Sequence, residues 1–364
     1  MKKKLIIFMP SIEGGGVEKN LFIVSNYFAT KLKRLSIITV SNSYKKRFDK
    51  SIEFISPSSD YWDTFNRRVK YIVALFLLLK VILKERDILV FAFQANIYCI
   101  IICKIFSIKI ITRSNSAPIG WSKNFIKRYI FKICLKLADE VMVNSFEFKS
   151  KLKKEFNISP KVIYNPLNFK EIKKLSKEKC PKIFKRKAQL KILNIGRFTE
   201  QKDQLTLLKA INIIKSKLNI ELIIIGRGML ENKLKNFVIK NKLTKFVKFE
   251  KFTKNPYAKL KQTEVFVLSS RFEGLPNVLL EALVLKKFVI SSSCQTGPKE
   301  ILLNGKGGLL FKVGDYRGLA NKILFYVSNK SECKYLLKKS YKSLNRFNSD
   351  TNLKKYFYLV KNFL

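Results

Sequence analysis

The chain has 364 residues, 47% hydrophobic and 27% charged, with 73 Lys and Arg against 26 Asp and Glu, a formal net charge of +47, and no histidine. It is too long for one comfortable hydrophobic core, which predicts two domains, and apolar enough to fold throughout. The missing histidine excludes His-based general bases, Ser-His-Asp and Cys-His nucleophile systems and His-ligated metals, while the charge favours a nucleic acid, an anionic membrane surface or a phosphorylated ligand as partner. The excess is mostly lysine spread along the chain, a pattern that compositional bias also produces.

The opening "MKKKLIIFMP" imitates a signal peptide, but its apolar core is short and leads to Glu13 and three glycines rather than to a small-residue cleavage site. It reads as a first strand. Runs suited to strands covered on both faces then alternate with amphipathic segments: "KLIIF", "LSIITV", "DILVFAF", "KIITRS", "EVMVNS" and "KVIYNP". The intervening segments, Val17 to Leu32, Arg67 to Lys84, Asn96 to Phe106, Ser122 to Leu137 and Phe146 to Phe156, read as helices, so βαβ units and a parallel sheet are expected. The apolar runs from Tyr71 and from Ile97 fall short of the roughly 20 residues that a spanning helix needs and are broken by Lys80, Lys104 and Lys109. Six cysteines form no C-x-x-C pair and sit mostly among apolar neighbours, as reduced structural thiols do in a cytoplasmic protein.

After Pro166 the pattern gives way to a lysine-rich, strand-poor stretch, and "LKILNIG" opens a second series: "ELIIIG", "VKFEKF", "VFVLSS", "FVISSS" and "GGLLF". The chain is thereby divided into a first domain at 1–168, a linker at 169–189 and a second domain at 190–349, with a helix at about 350–364 packing back on the first. The fold class is α/β, two tandem doubly wound Rossmann-like domains. Ligands of open parallel sheets lie beyond the carboxyl ends of the strands, which singles out a few loops.

The first is "SIEGGGVEKNL", where Gly14, Gly15 and Gly16 precede a helix; it is either a flexible turn or a place where backbone N–H groups meet an anion. The next, after "LKILNIG", sets Arg197 and Lys202 before a helix, a pair suited to a diphosphate. The third, "SSRFEGLPNVLLEAL", places Glu273 before a Gly274-Leu275-Pro276 turn and Glu281 eight positions on, in the second turn of the helix that follows. That separation argues against a glycosidase-type carboxylate dyad and for two separate hydroxyl acceptors flanking an anion, although a helix-start glutamate plus an unrelated surface glutamate has the same spacing. "TGPKEILLNGKGGLLF" adds a Gly-Pro turn entering a short helix, another possible anion-facing loop.

With these loops in place, the chain resembles the retaining glycosyltransferases of family 4, whose two Rossmann domains form the GT-B architecture with a cleft between them. The resemblance rests on "GGGVEKN", "ADEVMVNS", "YNP", "NIGRFTEQKDQLTLLKA", "IIIGRG", "FVLSSRFEGLPNVLLEAL" and "GPKEI", with E-x7-E and Arg-x4-Lys as its specific core. It implies that Arg197 and Lys202 hold the donor diphosphate, that Glu281 accepts from the ribose and that Glu273 sits near the transferred sugar. Gly274, Leu275, Pro276 and Gly226 would line the donor, with the base near Phe252 and Thr253. The Gly14 to Gly16 loop would face phosphate or acceptor. Many relatives use a first-domain histidine on the donor sugar; here the corresponding loop reads "RSNSAPIGW", which makes Arg113 and Asn115 the best substitutes.

The implied reaction moves a sugar from a nucleotide-sugar donor, UDP-linked and of the N-acetylhexosamine type, to a lipid-linked oligosaccharide, lipopolysaccharide or capsule acceptor, with retention and without metal or other cofactor. "NRRVKYIVALFLLLKVILKER" and "WSKNFIKRYIFKICLKLAD" combine basic and bulky apolar residues, which suits a peripheral protein on the anionic inner face of the cytoplasmic membrane, although core helices of a lysine-rich protein look similar. Two other readings stand beside it. One is a GT-B nucleotide-sugar epimerase; the other is a basic nucleic-acid-binding protein, which lacks RRM, helix-turn-helix and zinc signatures, so no specific nucleic acid is expected.

Overall fold

The computed structural model describes residues 3–115, 124–184, 188–253 and 255–364. The chain forms two compact units, residues 1–166 with 349–364 and residues 167–348. Both are parallel α/β layers, as the continuous apolar strands require.

The first unit is built from β1 (Lys4–Phe8), α1 (Gly16–Ala29), β2 (Leu35–Ile38), β3 (Glu53–Ile55), α2 (Arg67–Lys84), β4 (Ile88–Ala92), α3 (Asn96–Ile105), β5 (Lys109–Ser114), α4 (Phe125–Leu137), β6 (Glu140–Val143), α5 (Phe146–Phe156) and β7 (Lys161–Val162). Its seven strands lie in the order β3-β2-β1-β4-β5-β6-β7. The second unit holds α6 (Phe169–Leu175), β8 (Leu190–Ile195), α7 (Gln204–Ile214), β9 (Ile220–Gly226), α8 (Glu231–Lys240), β10 (Val247–Lys251), α9 (Tyr257–Lys261), β11 (Val265–Leu268), α10 (Asn277–Val284), β12 (Phe288–Ser292), α11 (Pro298–Ile301), β13 (Leu309–Phe311), α12 (Tyr316–Ser328) and α13 (Lys330–Ser343). Its six strands run β10-β9-β8-β11-β12-β13. The chain then returns to the first unit as α14 (Ser349–Lys361).

Each sheet is covered on both faces. In the first unit α2, α3, α4 and α5 pack on one face, through residues such as Leu78, Cys103, Leu135 and Leu152. The other face receives α1 and α14, with Phe28, Tyr356 and Val360 in the same cluster as Phe91. Side-chain caps fix several helix starts: Asn66 accepts from the Arg68 and Val69 amides, Ser145 from Phe148, and Asp203 from Thr206.

Three local features differ from the sequence expectation. The stretch read as a linker at 169–189 opens with α6, capped by Asn168, and the segment belongs to the second unit. That helix buries only Ile172 fully, so its apolar periodicity is too faint to read. The strand expected in "KVIYNP" is two residues long, and β3 is an additional three-residue edge strand. The helix expected from Ser122 is described from Phe125; residues 116–123 of the loop "RSNSAPIGW" and its neighbours lie outside the described residues.

Candidate active site

The second sheet changes direction at β8, whose two neighbours are β9 and β11, so the loops after β8 and β11 flank a topological switch point. Those are the loops that carry Arg197, Lys202 and Glu273. The structure brings two of the three into contact: Lys202 Nζ lies 2.5 Å from Glu273 Oε1, with both side chains largely buried. Ser270 Oγ donates to the same Oε1 at 2.6 Å. Among the described residues Oε2 of Glu273 takes no hydrogen bond, which leaves one carboxylate oxygen as an acceptor. Arg197 is exposed, and its guanidinium makes no ion pair among the described residues.

The backbone zips these two loops together. Arg271 N donates to Gln201 O at 2.8 Å, Gln201 Nε2 to Phe272 O at 3.0 Å, and Ser269 Oγ to Lys202 O at 3.0 Å. Asp203, in the left-handed region at φ 45°, caps α7 and also meets Arg271 Nε at 3.2 Å. One residue therefore sets both the helix start behind Lys202 and the approach of the loop that bears Glu273.

The turn Gly274-Leu275-Pro276 leads directly into α10, with Pro276 at the N-cap. Its position is locked by the loop after β12: Thr296 Oγ1 donates to Glu273 O, and Gly297 sits at φ 86° with no room for a Cβ, which would fall 2.1 Å from Gly274 O. The left-handed glycine of this site is thus Gly297, while Gly274 supplies the carbonyl packed against it. The "TGP" motif acts as a backstop for the turn.

Glu281 lies one turn and more into α10, 2% exposed, and accepts from Tyr257 Oη of α9 at 3.2 Å. The two glutamates are therefore separated by the turn and the helix start, as their spacing predicts, and they do not form a dyad. Tyr257 escaped the sequence reading because nothing in "NPYAKL" signals that α9 returns to α10.

Gly226 ends β9, where a Cβ would meet Gly196 O at 2.0 Å, so this glycine permits the close approach of two strand ends. Phe252 is 46% exposed beyond β10, with the Arg227 guanidinium 5.1 Å from its ring centroid; Thr253 Oγ1 donates to Asn255 O at 3.3 Å. Arg227 is the second residue that sequence reasoning missed, although "IIIGRG" placed it at a strand's carboxyl end. It gives the loops after β8 and β9 an exposed guanidinium each.

The first-unit residues behave differently. Gly14 takes φ 84° and Gly15 is the N-cap of α1, but the space beside Gly15 is filled by the chain's own Glu18 carboxylate, whose Oε2 would lie 2.8 Å from a Cβ there. Glu18 Oε1 accepts from Glu13 N at 3.4 Å. The helix start of the loop expected to face phosphate or acceptor thus holds the Glu18 carboxylate.

Arg113, expected to meet the donor, is 1% exposed, and its guanidinium is committed inside the unit. Nε donates to Tyr356 Oη at 2.9 Å, Nη2 to Asn165 Oδ1 at 2.7 Å and Nη1 to Asn115 Oδ1. Asn115 Nδ2 in turn donates to Phe93 O at 2.8 Å. Arg113 ties the end of β5 to α14, and Asn115 ties it to the chain just after β4.

Comparison with known proteins shows what the second unit is similar to. Residues 176–343 match the family model "Glycosyl transferases group 1". An uncharacterized glycosyltransferase of Methanocaldococcus jannaschii is 38% identical over 188 residues, 50% of this chain and 46% of that one, so the chain spans about half the length of that relative. A Campylobacter jejuni protein, N-acetylgalactosamine-N,N'-diacetylbacillosaminyl-diphospho-undecaprenol 4-alpha-N-acetylgalactosaminyltransferase, is 26% identical over 85% of this chain and 86% of its own. Anabaena HepE, solved in complex with UDP and glucose, superposes with a TM-score of 0.78 at 16% identity over 99% of both chains, which shows the same two-domain GT-B fold. Residues 176–343, which make up most of the second unit, are therefore similar to the group 1 glycosyltransferases.

Proposed function

We propose that the protein is a retaining glycosyltransferase that moves a sugar, of the N-acetylhexosamine type, from a UDP-linked donor to a lipid-linked oligosaccharide or related surface-polysaccharide acceptor. The observation that carries this reading is the Lys202–Glu273 pair at the switch point of the second sheet, beside the exposed Arg197. Two cations on one loop, one of them paired with a carboxylate, suit a sugar diphosphate: the cations meet the phosphates, and Oε2 of Glu273 accepts a sugar hydroxyl. Charge developing on the leaving diphosphate is then met by Arg197 and Lys202, which is the neutralisation a metal would otherwise supply. The C. jejuni relative supports the lipid-linked acceptor and the N-acetylhexosamine, and the UDP complex of HepE supports the nucleotide.

In this reading Glu281 accepts from the ribose after a shift of the Tyr257 hydroxyl, and Phe252 with Arg227 receives the base. Retention follows from same-face attack in which the leaving phosphate helps to take the acceptor proton. The test is donor turnover with an undecaprenyl-diphosphate-linked acceptor. Lys202→Ala and Glu281→Ala are expected to lower kcat by about 10²–10³-fold each with the fold intact by circular dichroism. Undiminished turnover in both rejects the assignment. Release of UDP without any acceptor, together with a changed sugar, assigns the site to an epimerase instead.

A further inference from the structure

The first unit carries a surface that the donor site does not use. Helices α2, α3 and α4 lie side by side on one face of its sheet, and their inward residues account for only half of their apolar content. Of the twenty-one large hydrophobic residues exposed among the described ones, twelve lie on the outward faces of these three helices. Phe125 is 81% exposed, and Ile72 and Ile105 are 69% exposed. By contrast α5, α8 and α13, which are richer in lysine, leave one such residue each: Phe146, Ile239 and Tyr335. A contiguous apolar field of this kind on an outer helix layer marks an interaction surface.

Charge identifies the occupant. None of the three helices contains an Asp or Glu, whereas α5, α8 and α13 all do. On α2 the exposed row runs Arg68, Ile72, Phe76, Lys80, one residue per turn, with Lys80 Nζ 4.7 Å from the Phe76 ring centroid. On α4 the exposed Lys127 and Lys136 flank Ile126, Tyr129 and Ile133 and make no ion pair among the described residues. A second copy of this +47 chain would meet the patch with charge of the same sign, and a nucleic acid has no use for rows of isoleucine. No helix of the described residues is long and apolar enough to cross a membrane.

We propose that the outward face of α2, α3 and α4 is a docking surface for an anionic lipid bilayer. The isoleucine and aromatic rows enter the boundary between headgroups and acyl chains, and Arg68, Lys80, Lys127 and Lys136 meet lipid phosphates. The surface stands on residues separate from Lys202 and Glu273, so its failure and that of the proposed transferase reading are distinguishable.

The test is flotation of the full chain with vesicles of phosphatidylglycerol and phosphatidylcholine against vesicles of phosphatidylcholine alone. The wild type is expected to partition at least tenfold more strongly onto the anionic vesicles. The pairs Ile72→Glu with Phe76→Glu and Ile126→Glu with Ile130→Glu are each expected to lower that partition about tenfold, and Lys127→Glu with Lys136→Glu to do the same. Tyr335→Glu and Ile239→Glu, on the second unit, stay within twofold of wild type. All substituted side chains are exposed, so thermal midpoints and UDP binding by thermal shift remain unchanged. Because apolar burial contributes, 0.5 M NaCl weakens binding without abolishing it. Absence of wild-type binding, indifference to the apolar pairs, or a DNA duplex that displaces the vesicles through the same residues each overturns the proposal.

Discussion

Glu273 is 6% exposed, and the loop around it supplies what such burial requires: a cation, a hydroxyl and a fixed backbone. Removing the carboxylate leaves a largely buried ammonium without its partner. Glu273→Ala is accordingly expected to destabilise the second unit by about 3 kcal/mol, read as a lowered urea midpoint, in addition to its effect on turnover. Gly297→Ala tests the backstop. At φ 86°, with Gly274 O in the way, the new methyl forces the Gly274-Leu275-Pro276 turn to move, at a cost of about 2 kcal/mol and, on the proposed function, with weaker UDP-sugar binding by calorimetry. A full-affinity Gly297→Ala protein with wild-type stability contradicts this account of the turn. Of these contacts the sequence revealed Glu273 and the glycines, because their loops follow strands; it did not reveal that Gly297 is the strained one, since only the packed turn shows which glycine lacks room.

At the scale of elements, α14 decides most about the first unit. It closes the sheet face opposite α2, and its Tyr356 hydroxyl accepts from a guanidinium that has no access to water. Tyr356→Phe leaves a buried charged donor unmet and is expected to cost about 1–3 kcal/mol, measured by denaturant unfolding. At the opposite edge, Lys4 foremost, and then Ser36, hold the Glu53 carboxyl of β3 below its ordinary value. A depressed carboxylate contributes stability that is present above the unfolded-state value and is lost as pH falls through the folded one. Amide exchange of β3 is therefore expected to accelerate below about pH 4, and Glu53→Gln to flatten that dependence. Strands and long helices were legible because their apolar periods are local; α6 and the edge strands were not, since each buries too little to leave a pattern.

Taken whole, the molecule is two units with separate cores and a charge that is unevenly used. Basic residues lie everywhere, but acid-free helices with an exposed apolar face occur together on one layer of the first unit. The thiols give an independent check on the packing. Five of the six cysteines are buried; burial pushes Cys333 up to about 11, and Cys99 well above its ordinary range with Cys103 beside it. Only Cys180 is half-exposed. Labelling the native protein with a thiol reagent at pH 7.5 is expected to modify Cys180 first and the others only on unfolding; rapid reaction of several thiols contradicts the burial described here.

The sequence by itself determined that two parallel sheets form in series, which loops end their strands, and that Arg197, Lys202, Glu273 and Glu281 belong to one domain, because strand periodicity and loop position are properties of short stretches. Tertiary structure alone decided that Lys202 and Glu273 touch across 71 residues, that Tyr257 covers Glu281, and that Arg113 meets Tyr356, 243 residues away. Those contacts depend on how the strands are ordered in the sheet and where the last helix returns, and no local pattern of residues encodes either.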